Sequence, residues 1–185
     1  MLDQIIQFDH FVFELINGQW HNALFDWLLP ILRNKYLWMP LYLFLLIFIL
    51  TNFPKNGWKY VLVIFLTVFL ADQLSASLIK PLVDRCRPCK LEPFNENVRL
   101  LVNCGSGRSF VSSHATNHFA LATCWSFLLA RYFRWIIPLT FFWAFAISYS
   151  QVYVGVHFPL DIFCGGILGI FIGLFTGWLG RFFES

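Results

Sequence analysis

Three histidines, two aspartates and a handful of cations stand in three short polar clusters of a chain that otherwise reads as membrane-facing sequence. The first cluster, KPLVDRCRP, carries Lys80, Arg85 and Arg87; the second, GRSFVSSHATNHF, carries Arg108, Ser112, Ser113, His114 and His118; the third, SQVYVGVHFPLD, carries Gln151, His157 and Asp161. Cations behind an apolar run suit either a phosphate or the negative end of a helix, where lysine and arginine also snorkel at membrane edges. Ser112 before a helical run fits an N-cap, and the free N–H groups of a first turn, with hydroxyls beside them, favour an anion. His114 and His118, four residues apart, could instead share a metal ion on one helix face, although no acidic partner lies near them in sequence. His157 stands four residues before Asp161, so the carboxylate can bond one imidazole nitrogen, fix the tautomer and leave the other nitrogen free to attack.

The elements that must position these clusters are membrane helices. Of the 185 residues, 58% are hydrophobic, 20% aromatic and only 12% charged, about half the charge usual in a soluble domain. Crossing a hydrocarbon core of roughly 30 Å uses about 20 apolar residues, so the length predicts a single domain over residues 1–185. The fold class is all-α, a polytopic membrane bundle. Apolar runs predict spans at about 36–53, 58–79, 114–129, 135–152 and 160–182. Residues 1–35 mix apolar clusters with Asp9, His10, Glu14 and Asp26, the pattern of amphipathic helices lying at the interface; one of them could make a sixth, shallow crossing. Their acidic start is unlike a cleaved signal peptide, which places the start of the chain near Met1. Asp72, inside the second run, is expected to face the bundle interior. Residues 80–113 form the one long polar segment, expected to be a loop at the active site.

Crossing parity brings the three clusters together. The end of the second span and the starts of the third and fifth all fall on one membrane face. The opposite face has short loops with Lys55, Lys59, Arg131, Arg134 and Arg181, and short basic loops favour the cytoplasm. Arg33, Lys35 and the basic residues of the long loop weigh the other way. The expected location is the cell's inner membrane, multi-pass, with the polar face on the periplasmic or extracellular side. The net charge of +3 is small and scattered, and implies no nucleic-acid partner.

Taken together, the clusters resemble the signature of the type 2 phosphatidic acid phosphatase superfamily, which includes lipid phosphate phosphatases and vanadium-dependent haloperoxidases. That signature is a lysine, six residues and Arg-Pro; Pro-Ser-Gly-His; and Ser-Arg, five residues, His, three residues, Asp. This chain has Lys80 and, after six residues, Arg87-Pro88; Val111-Ser112-Ser113-His114; and Ser150-Gln151, five residues, His157, three residues, Asp161. The resemblance implies that His157 is the nucleophile of a phosphohistidine intermediate, that Asp161 orients it and that His114 is the general acid and base. Lys80, Arg87, Ser112, Ser113 and position 151 would hold the phosphoryl oxygens, with no metal or other cofactor in the scheme. Position 151 is glutamine rather than arginine, and a neutral amide lacks the charged fork; Arg85 and Arg108, in segments bordering the site, are the candidates to supply the missing cation. In an oxidising compartment Cys104 could pair with Cys89 or Cys86. Cys89 is favoured, because Cys86 lies beside Arg87, and a zinc site on the three loop cysteines is the weaker reading.

The function expected is a metal-independent membrane phosphatase acting on a lipid phosphate or diphosphate such as undecaprenyl diphosphate, phosphatidylglycerol phosphate, phosphatidic acid or lipid A. The bilayer and the lipid are its partners. A catalytically degenerate lipid-phosphate binder and a vanadate-holding haloperoxidase are the alternatives.

Overall fold

In the computed structural model, residues 2–105 and 107–182 are described, so Met1 lies outside the described residues. Helix α1 (Leu2–Phe13) continues into a π turn (Glu14–Gln19), and α2 spans Ala23–Leu32. At about 1.5 Å per residue the 10 residues of α2 reach only half-way through a bilayer core, so no crossing is made there. A 3-10 turn (Lys35–Trp38) leads into α3 (Met39–Asn52). Next, α4 (Gly57–Asp72) widens into a π turn (Gln73–Ile79) and ends in the short α5 (Lys80–Val83), one continuous rod of 27 residues. Helices α6 (Ser113–Leu129), α7 (Ile136–Tyr153) and α8 (Pro159–Phe182) complete the bundle.

Four of these rods are long and apolar enough to cross a membrane: Lys35–Asn52, Gly57–Val83, Ile136–Tyr153 and Pro159–Phe182. The fifth predicted span is α6, with 17 residues, and it sits in the middle of the others, packed on α8, α7 and α4. Because protein rather than lipid surrounds it, its core positions can be small or polar: Ala115, Thr116, Ala120, Ala122 and Cys124 are all fully buried. Helix–helix contact in a bilayer is driven by close packing, and small residues allow it. The facing surface of α8 shows this, since a Cβ on Gly173 would lie 2.5 Å from the Ala120 carbonyl oxygen and 2.6 Å from the Thr123 Cβ. The lipid-facing sides carry large side chains such as Phe65, Phe142, Phe163 and Phe171.

On one face the bundle is roofed by α1, α2 and the loop between α5 and α6. A disulfide joins Cys89 to Cys104 within that loop, with the Cα atoms 6.1 Å apart. Asn17 fastens the π turn to both partners, donating to the Arg99 carbonyl at 2.9 Å and the Tyr153 carbonyl at 2.7 Å, and accepting from the Arg99 N–H at 2.8 Å. Asp26 on α2 accepts from the Tyr153 hydroxyl at 2.7 Å and pairs with Arg99 at 2.8 Å. The turn between α7 and α8 passes so close beneath the loop that a Cβ at Gly155, whose φ is +87°, would meet the Arg99 carbonyl oxygen at 2.8 Å. Only glycine meets both demands.

Gly173→Val drives two branches into the α6 backbone, and overpacking of a close contact costs about 1–3 kcal/mol. The expected outcome is a lowered thermal unfolding midpoint in detergent, whereas Gly18→Ala, with open space around its Cβ, leaves the midpoint near that of the parent.

Candidate active site

The three polar clusters meet under the roof. α8 begins at Pro159, and Asp161 falls in its first turn, fully buried. Its carboxylate is saturated. Oδ1 accepts from Arg85 Nη1 at 2.7 Å; Oδ2 accepts from the Phe158 N–H at 2.9 Å and from the Ser109 hydroxyl, and faces His157 Nδ1 at 3.4 Å. Arg85 spans onward to Asp9 of α1 at 2.5 Å and lies 4.3 Å over the Phe158 ring. Asp9 is itself buried and accepts from the Leu160 N–H at 2.7 Å. A guanidinium between two buried carboxylates thus compensates both charges, the condition under which buried ions are tolerated.

His157 is 2% exposed. Its Nε2 lies 3.3 Å from Arg87 Nη1, and a guanidinium can only donate, so Nε2 is the acceptor and Nδ1 carries the proton toward Asp161. That tautomer leaves the lone pair on Nε2, the form an attacking imidazole requires. Arg87 also donates to the Val156 carbonyl at 3.0 Å and the Gly107 carbonyl at 3.2 Å, so the loop holds it over the imidazole. Burial lowers the pKa of His157 to about 4, against the opposite pull of Asp161.

Ser112 caps α6, its hydroxyl accepting from the Ala115 N–H at 3.5 Å, and its own N–H donates to the Asp161 carbonyl at 3.0 Å. The cap therefore also fixes α6 to α8. Ser113 accepts from the Ser75 hydroxyl at 3.0 Å. His114 is half-buried and lies within electrostatic range of His157 and Lys80. His118 bonds the His114 carbonyl through Nδ1 at 2.7 Å and lies against the Trp143 ring.

Beside His114 a cavity of about 460 Å³ runs between α3, α4 and α6. Its head is polar, with Arg33, Ser113, His114 and Asp72; its body is apolar, with Leu45, Ile49, Ile64 and Leu121. Asp72 therefore opens onto this cavity rather than into a helix contact, and is exposed there.

Two further expectations need correction. Arg85 cannot stand in for the arginine absent at position 151, because its charge is committed to Asp9 and Asp161. Arg108 is paired with Asp84 at the exposed loop edge. Gln151 is completely buried, its Nε2 turned back to the Ile147 carbonyl at 3.5 Å and its Oε1 without a partner. Lys80, Arg87, His114, His157 and Asp161 are the predicted residues that the fold gathers within electrostatic range of one another, and His114 is the one of them that lines the cavity. Asp9 and Arg33, which sequence reasoning passed over, join them. For Arg33 a signal existed, since the start of the first span lies on the same face as the clusters. For Asp9 there was none, because its partners are Arg85, 76 residues away, and the α8 start.

A family model described as the PAP2 superfamily matches residues 56–183. The chain belongs to the PAP2 superfamily. It is 37% identical over 165 residues to a lipid A 4'-phosphatase of Bacteroides thetaiotaomicron, covering 88% of this chain and 71% of that one. It is 31% identical over 179 residues to an undecaprenyl-diphosphatase of Sulfolobus acidocaldarius, covering 94% of this chain and 79% of that one. The crystal structure of Aquifex aeolicus LpxE superposes with a TM-score of 0.66 at 30% identity, over 89% of this chain and 92% of that one. A PAP2-type phosphatidylglycerolphosphate phosphatase of Bacillus subtilis has the same fold, with a TM-score of 0.74 at 18% identity over 96% of this chain and 87% of that one.

Removing Arg85 leaves two buried carboxylates unpaired, a loss of about 3–5 kcal/mol, so Arg85→Ala is expected to lose both activity and thermal stability. Arg108→Ala breaks an exposed pair worth about 0–1 kcal/mol and keeps phosphate release within about two-fold. The His157 imidazole stays neutral down to about pH 4 and loses its free lone pair as pH falls through that value, which the pH profile of kcat/KM reads because that ratio reports the free protein. The acid limb is expected near pH 4 rather than near 6.5.

Proposed function

We propose that this membrane lipid phosphatase of the PAP2 superfamily removes phosphate from a lipid that enters sideways from the bilayer, with the phosphoryl group held between His157 and His114. The observation that carries the reading is the cavity itself, polar at His114 and apolar along α3, α4 and α6. A chain already in lipid gains little hydrophobic energy by moving into an apolar groove, so the groove serves to align the phosphate rather than to extract the lipid.

His157 Nε2 attacks phosphorus as the bond to the leaving oxygen breaks, and His114 donates the proton that oxygen requires. The resulting phosphoimidazole is cationic and is stabilised by Asp161, whose own charge is held in place by Arg85 and Ser109. Water then attacks phosphorus while His114 accepts its proton. The N–P bond breaks, and inorganic phosphate leaves with His157 restored. Lys80 and Arg87 stabilise the charge that develops on the equatorial oxygens. None of these steps calls on a metal ion.

The catalytic face is assigned to the outer side of the membrane. Support comes from the Cys89–Cys104 disulfide on that face, which fits an oxidising compartment, and from Lys55, Lys59, Arg131 and Arg134 in the short loops at the other end. Lipid A 4'-phosphatases of Bacteroides thetaiotaomicron and Porphyromonas gingivalis match over 88% and 95% of the chain, which makes lipid A the first substrate to test.

Phosphate release is to be measured in mixed micelles from lipid A, undecaprenyl diphosphate, phosphatidylglycerol phosphate and phosphatidic acid. The expected result is turnover of at least one, abolished by more than about 1000-fold in His157→Ala. Tight binding of a lipid phosphate with no release in either protein would select the binder instead.

A further inference from the structure

The head of the cavity holds a cation that the superfamily motif does not supply. Arg33 follows the last turn of α2, where its N–H closes the helix on the Leu29 carbonyl at 3.2 Å. Its side chain lines the cavity with Ser113 and His114, and its Nε is buried without a hydrogen-bond partner. A buried donor left unmatched is costly, and the electrostatic surroundings add to that cost. The charge felt most by Arg33 is Arg87, and burial together with that like charge lowers its pKa. Asp72 is the one carboxylate lining the same cavity, and no ion pair or hydrogen bond joins it to Arg33.

The other arginines on this face are occupied. Arg85 is held by Asp9 and Asp161, Arg99 by Asp26, and Arg108 by Asp84. Lys35 lies 5.3 Å over the Tyr36 ring. Arg33 and Lys80 lie within electrostatic range of His114, and Lys80 and Arg87 within that of His157. Asp161 is within electrostatic range of Lys80 and Arg87, and Asp72 of Lys80, but Asp161 is already shared with Arg85, so the cluster keeps a positive excess complementary to one multiply charged group. At position 151, where the motif has arginine, the amide is sealed inside the bundle.

We infer that Arg33 is a phosphate-binding residue, reaching the phosphoryl group from the His114 side and taking over the cationic role left empty by Gln151. The inference rests on the proposed phosphatase reading for its substrate but on the arrangement of charges for its existence. Arg33 enters from the segment between α2 and α3, whereas residue 151 would enter from α7. The charge is thus conserved in number and moved in origin.

The test uses the full chain in mixed micelles, with two readouts. Arg33→Ala and Arg33→Gln are expected to lower kcat/KM for phosphate release about 100- to 1000-fold, the usual loss for one preorganised donor, and to weaken inhibition by orthovanadate in parallel. Arg33→Lys recovers part of the activity, and Gln151→Arg added to Arg33→Ala recovers at least about ten-fold. Activity of Arg33→Ala within about three-fold of the parent overturns the inference. So does a loss of activity in a protein with unchanged melting and unchanged vanadate inhibition. Arg33→Gln keeps the stem and the hydrogen-bonding head, so it gives the answer if Arg33→Ala fails to fold. Thermal stabilisation by inorganic phosphate separates the two readings. If no lipid phosphate is turned over, loss of that stabilisation in Arg33→Gln keeps Arg33 as an anion ligand although the phosphatase reading falls.

Discussion

The structure depends on one buried carboxylate. Asp161 is fully buried, so its lone pairs need donors from within the protein. The donors come from four places: Arg85 from the segment after the second long rod, Ser109 from the loop, the Phe158 N–H from the α8 turn, and His157. Satisfying the charge therefore fixes the loop, the turn and the imidazole together. The ring orientation that presents Nε2 to a substrate follows from the same bonds that make the buried aspartate tolerable.

Around that point the bundle is arranged by contact distance rather than by hydrophobicity. α6 is the least lipid-like of the five long elements and lies at the centre, against the glycine-lined side of α8. Its first turn needs to be polar to meet phosphate, and its remainder needs to be slim to admit α8 and α4. A helix of this kind is possible only where other helices shield it from lipid, so the placing of His114 and the close packing of the core share one requirement.

The sequence made legible what is periodic and what is local. Five long apolar runs announced the rods, and their ends came within a few residues of the observed ones. Parity along those rods placed Lys80, Arg87, His114, His157 and Asp161 on one face without any contact being known. The pairing of Cys89 with Cys104 was similarly within reach, both lying in one loop. Ion-pair partners were not legible. Arg85 was read as a free cation because nothing near it in sequence is acidic except Asp84, which pairs with Arg108 instead. Asp9 was read as one polar residue of an amphipathic helix, since a charge on such a helix looks the same whether it faces water or a guanidinium. Arg33, in sequence, bears only on topology. Such partnerships are set by where separate elements dock, and helical periodicity carries no trace of that.

The Asp9–Arg85–Asp161 chain also sets an order of assembly. The α3–α4 hairpin and the packing of α6 on α7 join neighbours in sequence, and local contacts of that kind form early and cheaply. The carboxylate bridge draws instead on α1, on the segment after the second rod and on the start of the last helix, so each of its ion pairs closes a loop of 76 residues and bears its entropy. It cannot form until α8 has begun to enter the bilayer. During synthesis, then, the chain would hold most of its membrane rods before it holds the bridge that orients the His157 imidazole.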